Sequence, residues 1–181
     1  MDAVDAATLL LGPKHPDTLV MMANLANMYG ELGEHEEAKK LQREVLSPRQ
    51  QTLGVEHPKT LQAMTNLAFI LGEQGKFKES GEIELASLEI MERVLGPSHP
   101  DTLTTMSNLA FTWRYQGENE KAIDLMKECL LRQEQRLGPD HPDVLETVGN
   151  LEEWQSPEVG DIMEVDDSEG EDVWVDEPAS P

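Results

Sequence analysis

Four histidines stand at equal intervals in this chain: His15, His57, His99 and His141, each 42 residues after the one before. Imidazole is the commonest metal ligand and the usual carrier of protons near neutral pH, so a regular set of four invites a metal or acid–base reading. The phrase around them repeats as well, as LGPKHPDTL from Leu11, LGVEHPKTL from Leu53, LGPSHPDTL from Leu95 and LGPDHPDVL from Leu137. The other residues able to do chemistry are the single Cys129 and the adjacent carboxylates Glu36 and Glu37, or Glu152 and Glu153.

The elements that must position these groups follow from the same period. Asn24, Leu25 and Ala26 return as Asn66, Leu67 and Ala68, then as Asn108, Leu109 and Ala110, with Asn150 and Leu151 opening a fourth copy. Gly33, Gly75 and Gly117 keep step. Within a copy, Leu19, Met22, Leu25, Ala26, Tyr29 and Leu32 form one helical stripe, and Ala38, Leu41 and Val45 begin a second after the glycine. Each unit is therefore a pair of helices. In LGxxHPxxL the glycine suits the left-handed residue ending one helix, and proline the first position of the next. His15 is held extended by the proline that follows it, and the phrase reads as stop and restart.

That placement decides the chemistry. Stacked units are displaced by about 10 Å, whereas zinc ligands sit about 2 Å from the ion, so the ladder of histidines does not converge and no metal site is expected. Cys129 falls on an apolar stripe, in register with Val45 and Ser87. Neighbouring glutamates on a helix point apart, unlike a carboxylate pair flanking one bond. No catalytic constellation is present, no cofactor motif is seen, and an enzyme is not expected.

Composition points the same way. Apolar residues make up 38% and aromatics 4% of the 181 residues, which suits a thin layered core. The net charge is −22, and residues 138–181 hold fifteen Asp and Glu with no Lys or Arg, leaving −7 for the first 137. Such a polyanion repels phosphate backbones and anionic lipid, so neither nucleic acid nor membrane is an expected partner. The lone cysteine, the lack of a spanning apolar run and a first segment without a basic flank predict a cytoplasmic protein.

The run NLANMYGELGEHEEAKKLQREVL, followed by LGxxHPxTL, resembles the tetratricopeptide repeats of kinesin light chains and of related arrays on fungal and bacterial signalling proteins, over roughly residues 3 to 154. The resemblance implies an all-α fold, a right-handed superhelical solenoid of antiparallel helix pairs. It implies a partial helix of a preceding repeat over 1–15, three full pairs plus the first helix of a fourth over 16–154, and an acidic tail over 155–181, expected to be disordered. Beginning mid-unit, the chain looks like a piece of a longer array. Pro48 is expected to kink or end the second helix of the first unit, Gly81 to weaken that of the second, and Ser80 to replace the small apolar residue seen as Ala38 and Ala122.

In this family, the resemblance implies, the first helices line a concave surface that takes an extended peptide. By register the residues facing it include Asn24, Asn27, Gln62, Asn66, Phe69, Asn108, Phe111 and Arg114. The recurring Asn has two readings: an amide ladder bonding a peptide backbone, or a pin between neighbouring units. Related clamps hold terminal carboxylates with several Lys and Arg, of which these helices have few besides Arg114. The expected partner is accordingly a protein or peptide of apolar or mixed character docking on Phe69 and Phe111, not a strongly acidic one. The alternative is a structural spacer or partial fragment of a larger signalling protein with no ligand of its own, a reading favoured by the partial terminal units and by Pro48. In the tail, EDVWVDE around Trp174 resembles the tryptophan-acidic peptides that kinesin light chain repeats bind, and Ser168 fits an acid-directed phosphorylation pattern.

Overall fold

A computed structural model describes residues 3–156, all of whose regular structure is helical. The order is α1 Ala3–Leu11, α2 Pro16–Glu31, α3 His35–Leu53, α4 Pro58–Glu73, α5 Phe77–Val94, α6 Pro100–Tyr115, α7 Asn119–Leu137 and α8 Pro142–Gln155. Residues 155 and 156 belong to the array rather than to a tail, since α8 runs to Gln155 and is capped at Ser156. The expectations attached to Ser168 and Trp174 fall outside the described residues.

The restart phrase works through backbone geometry and one side chain. Gly12, Gly54, Gly96 and Gly138 adopt φ of 98, 87, 98 and 87°, closing one helix where a side chain would be strained. The histidines that follow are extended, His99 having φ −67° and ψ 144°. Each then caps the next helix, because its Nδ1 accepts from the N–H of the second helical residue: Asp17 at 3.2, Lys59 at 3.1, Asp101 at 3.2 and Asp143 at 3.2 Å. Proline at the first position has no N–H to satisfy, so proline and imidazole together dispose of two of the groups a helix start leaves open.

Packing is between neighbours, as stacked pairs require: each helix contacts the next along the chain, and α2 also touches α4. The core is a seam of small clusters rather than one mass. Leu19, Met22 and Val45 meet Ala63 of the following unit, while Leu61 and Met64 meet Met91. Leu103, Met106 and Leu109 pack on Leu88 and Cys129, and Ala110 and Met126 on Leu151. Every cluster that spans two pairs buries surface neither pair could hide alone.

Pro48 does not end the second helix of the first unit, a correction to that part of the expectation. α3 continues through it to Leu53. A proline inside a helix removes one hydrogen bond and costs on the order of 3 kcal/mol, but here Pro48 is buried and the turn after it is anchored from outside. Arg49, 4% exposed, donates from Nη1 to the Lys59 carbonyl at 2.9 Å, and Thr52 donates to the Pro48 carbonyl at 2.8 Å. Ser80 and Gly81 also serve packing: Ser80 Oγ donates to the Ala68 carbonyl at 2.7 Å, and a Cβ on Gly81 would lie 2.9 Å from Gln116 Nε2 and 3.3 Å from Thr112 Cγ2. Gly81 therefore lets α5 and α6 approach closely.

Candidate peptide-binding groove

The first helices α2, α4, α6 and α8 share one face, and open clefts lie between them. A cleft of about 490 Å³ between α4 and α6 brings together Gln62, Asn66, Phe69 and Asn108, and Lys59 and Asp101 also line it. It is continued by one of about 420 Å³ that shares Phe69 and Asn108 and adds Phe111, Phe77 and Tyr115. A third, of about 350 Å³ between α6 and α8, again includes Asn108. Five of the eight residues picked by register thus line two connected clefts, with Asn108 reaching all three. Asn24 and Asn27, one unit earlier on α2, lie outside them.

The recurrent amides do not act alike. Asn66 Nδ2 donates to Asn27 Oδ1 at 3.4 Å, a pin between the first two units. The residue in register with Asn27 is Phe69 in the second unit and Phe111 in the third. By register Asn108 therefore answers to a ring in the slot where Asn66 answers to an amide, and Asn108 and Phe69 line the same clefts.

That slot is occupied differently each time. Asn27 is taken by Asn66, and Phe111 is covered by Trp154, edge-on at 5.0 Å between centroids and 89° between planes. Phe69 is left 59% exposed between the two larger clefts. Trp154 was not expected to act here, although its place at the end of the fourth copy puts it over the preceding unit.

Arg114 is a second correction. It is 7% exposed, and its guanidinium donates to Asn119 Oδ1 at the start of α7. The side chain closes the turn between α6 and α7 instead of offering a charge to the groove.

Burial perturbs two groups that bear on chemistry, a thiol and a carboxyl. Burial pushes the Cys129 thiol up to about 11, and its Sγ lies 3.4 Å from the Leu103 carbonyl; such a thiol is a packing residue, since the thiolate is the reactive form. Burial also raises Glu84, on α5, above the usual carboxylate range, opposed by the hydroxyls of Thr112 and Ser80. Glu84 lines the cleft with Phe69 and Phe111 and was missed by sequence reasoning. Its signal was register: Gln42 and Met126 occupy the same place in the flanking units. Among the described residues no three His, Cys, Asp or Glu side chains are grouped to hold a metal ion, and no helix is long and apolar enough to cross a membrane.

Paired helices in constant register, with grooved first helices and a seam-like core, define the chain as a helical-repeat interaction scaffold. Tetratricopeptide repeat profiles match residues 18–59 and 59–130. The nearly identical TPR-like repeats of a candidate kinesin light chain from Podosopora anserina superpose with a TM-score of 0.71 at 27% identity, covering 77% of this chain and 66% of that one. A point variant of those repeats gives 0.76 at 26% identity, over 83% of this chain and 71% of that one. The fold is shared too with BtubC (BKLC) of P. vanneervenii, at a TM-score of 0.70 and 21% identity over 77% of this chain and 56% of that one. No curated protein sequence matches the chain. The chain is a tetratricopeptide repeat protein with repeats of the kinesin light chain type.

Proposed function

We propose that this chain is a non-catalytic interaction module whose groove between α4 and α6 holds an extended segment of a partner protein. The observation that carries the reading is Phe69. Of three equivalent positions it alone presents a large ring to solvent, and it stands where two clefts meet, between Asn66 and Asn108. An apolar side chain of a peptide would cover that ring, and the Asn108 amide, with donors and an acceptor, suits a peptide backbone.

The partner this favours is apolar or mixed. With Arg114 withdrawn into its turn, Lys59 is the cation lining the larger cleft, set against Asp101. The net charge of −22 speaks against nucleic acid and anionic membranes, and the single cysteine favours the cytoplasm. Of the two observations behind the spacer reading, Pro48 weighs less, because α3 continues through it to Leu53. A peptide array sorted by apolar and charged content tests the proposal: mixed apolar sequences should bind, and Phe69→Ala should remove them while helicity is kept. Binding that survives Phe69→Ala and Asn108→Ala unchanged would move the site elsewhere.

A further inference from the structure

We infer that the cleft walled by α4, α5 and α6 is a pocket for a lysine side chain of the bound peptide, with Glu84 as its counter-charge. The inference rests on the groove reading, since the pocket opens beside Phe69, and it adds a charge specificity to it.

Glu84 is 4% exposed, its Oε2 has no hydrogen-bond partner, and it lines the cleft of about 420 Å³. The Thr112 and Ser80 hydroxyls serve the carboxyl only in part, and a buried carboxylate oxygen left unbonded is costly unless a cation meets it. Packing does not call for an acid at this place. In the first unit Gln42 sits there and donates to the Ala63 carbonyl at 3.0 Å; in the third, Met126 is fully buried. Gln42 Oε1 is likewise unbonded, and of the three residues at this place only Glu84 carries a charge.

The surroundings fit an ammonium on an alkyl stem. The titratable side chains facing the cleft are Glu73 from α4, Glu84 from α5 and Tyr115 from α6, with no Lys, Arg or His among the described lining residues. Phe77 and Tyr115 stack at 4.8 Å and 11°, and with Phe69 they give the stem an apolar wall and the cation ring faces. Because burial biases the empty Glu84 carboxyl towards its neutral form, entry of an ammonium is coupled to loss of that proton, and affinity should rise with pH across the raised carboxyl range.

Calorimetry with extended peptides of one apolar scaffold tests this, the central position carrying lysine, norleucine or glutamate. Norleucine keeps the stem and removes the charge. Lysine should bind about tenfold more tightly than norleucine at pH 7.5 and glutamate least. The lysine preference should vanish in Glu84→Gln, and also in Glu84→Met, which copies the third unit, with circular dichroism showing both folded. Lysine and norleucine binding alike in wild type, or a lysine preference that persists in both variants, overturns the pocket while leaving the groove intact. If no peptide of the set binds the wild type, both the groove reading and the pocket fall.

Discussion

His99→Ala isolates the job of the repeated histidine. His99 stands before α6, in the middle of the array, and its Nδ1 accepts from the Asp101 N–H at 3.2 Å. Pro100 supplies no N–H, so Asp101 carries the first backbone donor of the helix. Alanine leaves that donor to water. Loss of a capping acceptor costs about 0.5–2 kcal/mol, and with the His99 side chain 38% exposed water recovers part of it, so about 0.5–1 kcal/mol is expected. In a chain of this size that lowers Tm by roughly 1–4 °C. His99→Asn should restore most of the loss, because its Oδ1 reaches the same N–H and asparagine is among the best N-caps. Urea unfolding followed by circular dichroism at fixed pH measures all three proteins. An alanine variant as stable as wild type, or an asparagine variant no better than alanine, would refute the capping account and reopen the question of what four imidazoles in register are for.

Other outcomes follow from single contacts. Gly96→Ala should cost roughly 1–2 kcal/mol in urea unfolding, since φ is 98° and nothing lies within 4 Å of the added Cβ, making the loss one of backbone alone. Glu84→Gln should be more stable than wild type at pH 7 by roughly 1 kcal/mol and equal to it near pH 4. A carboxyl raised by burial holds its proton more tightly folded than unfolded, so wild-type stability is highest below the ordinary carboxylate range and falls as pH climbs through the raised one. Cys129 should resist a thiol reagent at pH 8 until the protein unfolds, its thiol being buried and pushed up to about 11. Asn66→Ala should lower stability more than Asn108→Ala through its bond to Asn27, whereas Asn108→Ala should cost more peptide affinity; a reversed order in melting and titration would contradict that assignment.

The array was legible because its signals are local and repeated. A glycine that must turn left-handed, a proline that must start a helix, and apolar residues at helical spacing say the same thing in each copy. The face of the first helices was legible for the same reason, and Gln62, Asn66, Phe69, Asn108 and Phe111 line clefts as register requires. What stayed hidden depends on a second helix. Arg114 has the periodicity of the groove but is claimed by Asn119 across a turn. Pro48 should break a helix by propensity, yet Arg49 holds the following turn from the Lys59 carbonyl. The capping bond of His99 needs the imidazole rotated onto its own helix, a rotamer that no spacing rule reports.

In a repeat of this kind, similarity and difference carry opposite information. Residues that return in every unit, such as the glycines, His-Pro and the buried leucines Leu19, Leu61 and Leu103, satisfy demands every unit shares, which are those of stacking. A ligand is one molecule lying across several units and meets each at a different point, so the residues reading it are free to differ. Two positions differ in a way packing does not require: the slot filled by Asn27, Phe69 and Phe111, and the one filled by Gln42, Glu84 and Met126. The second unit fills them with Phe69 and Glu84, which line the same cleft. An exposed ring and a buried acid with one oxygen left unbonded would each weaken a unit that only had to stack; side by side, they are complementary to an alkyl chain that ends in a positive charge.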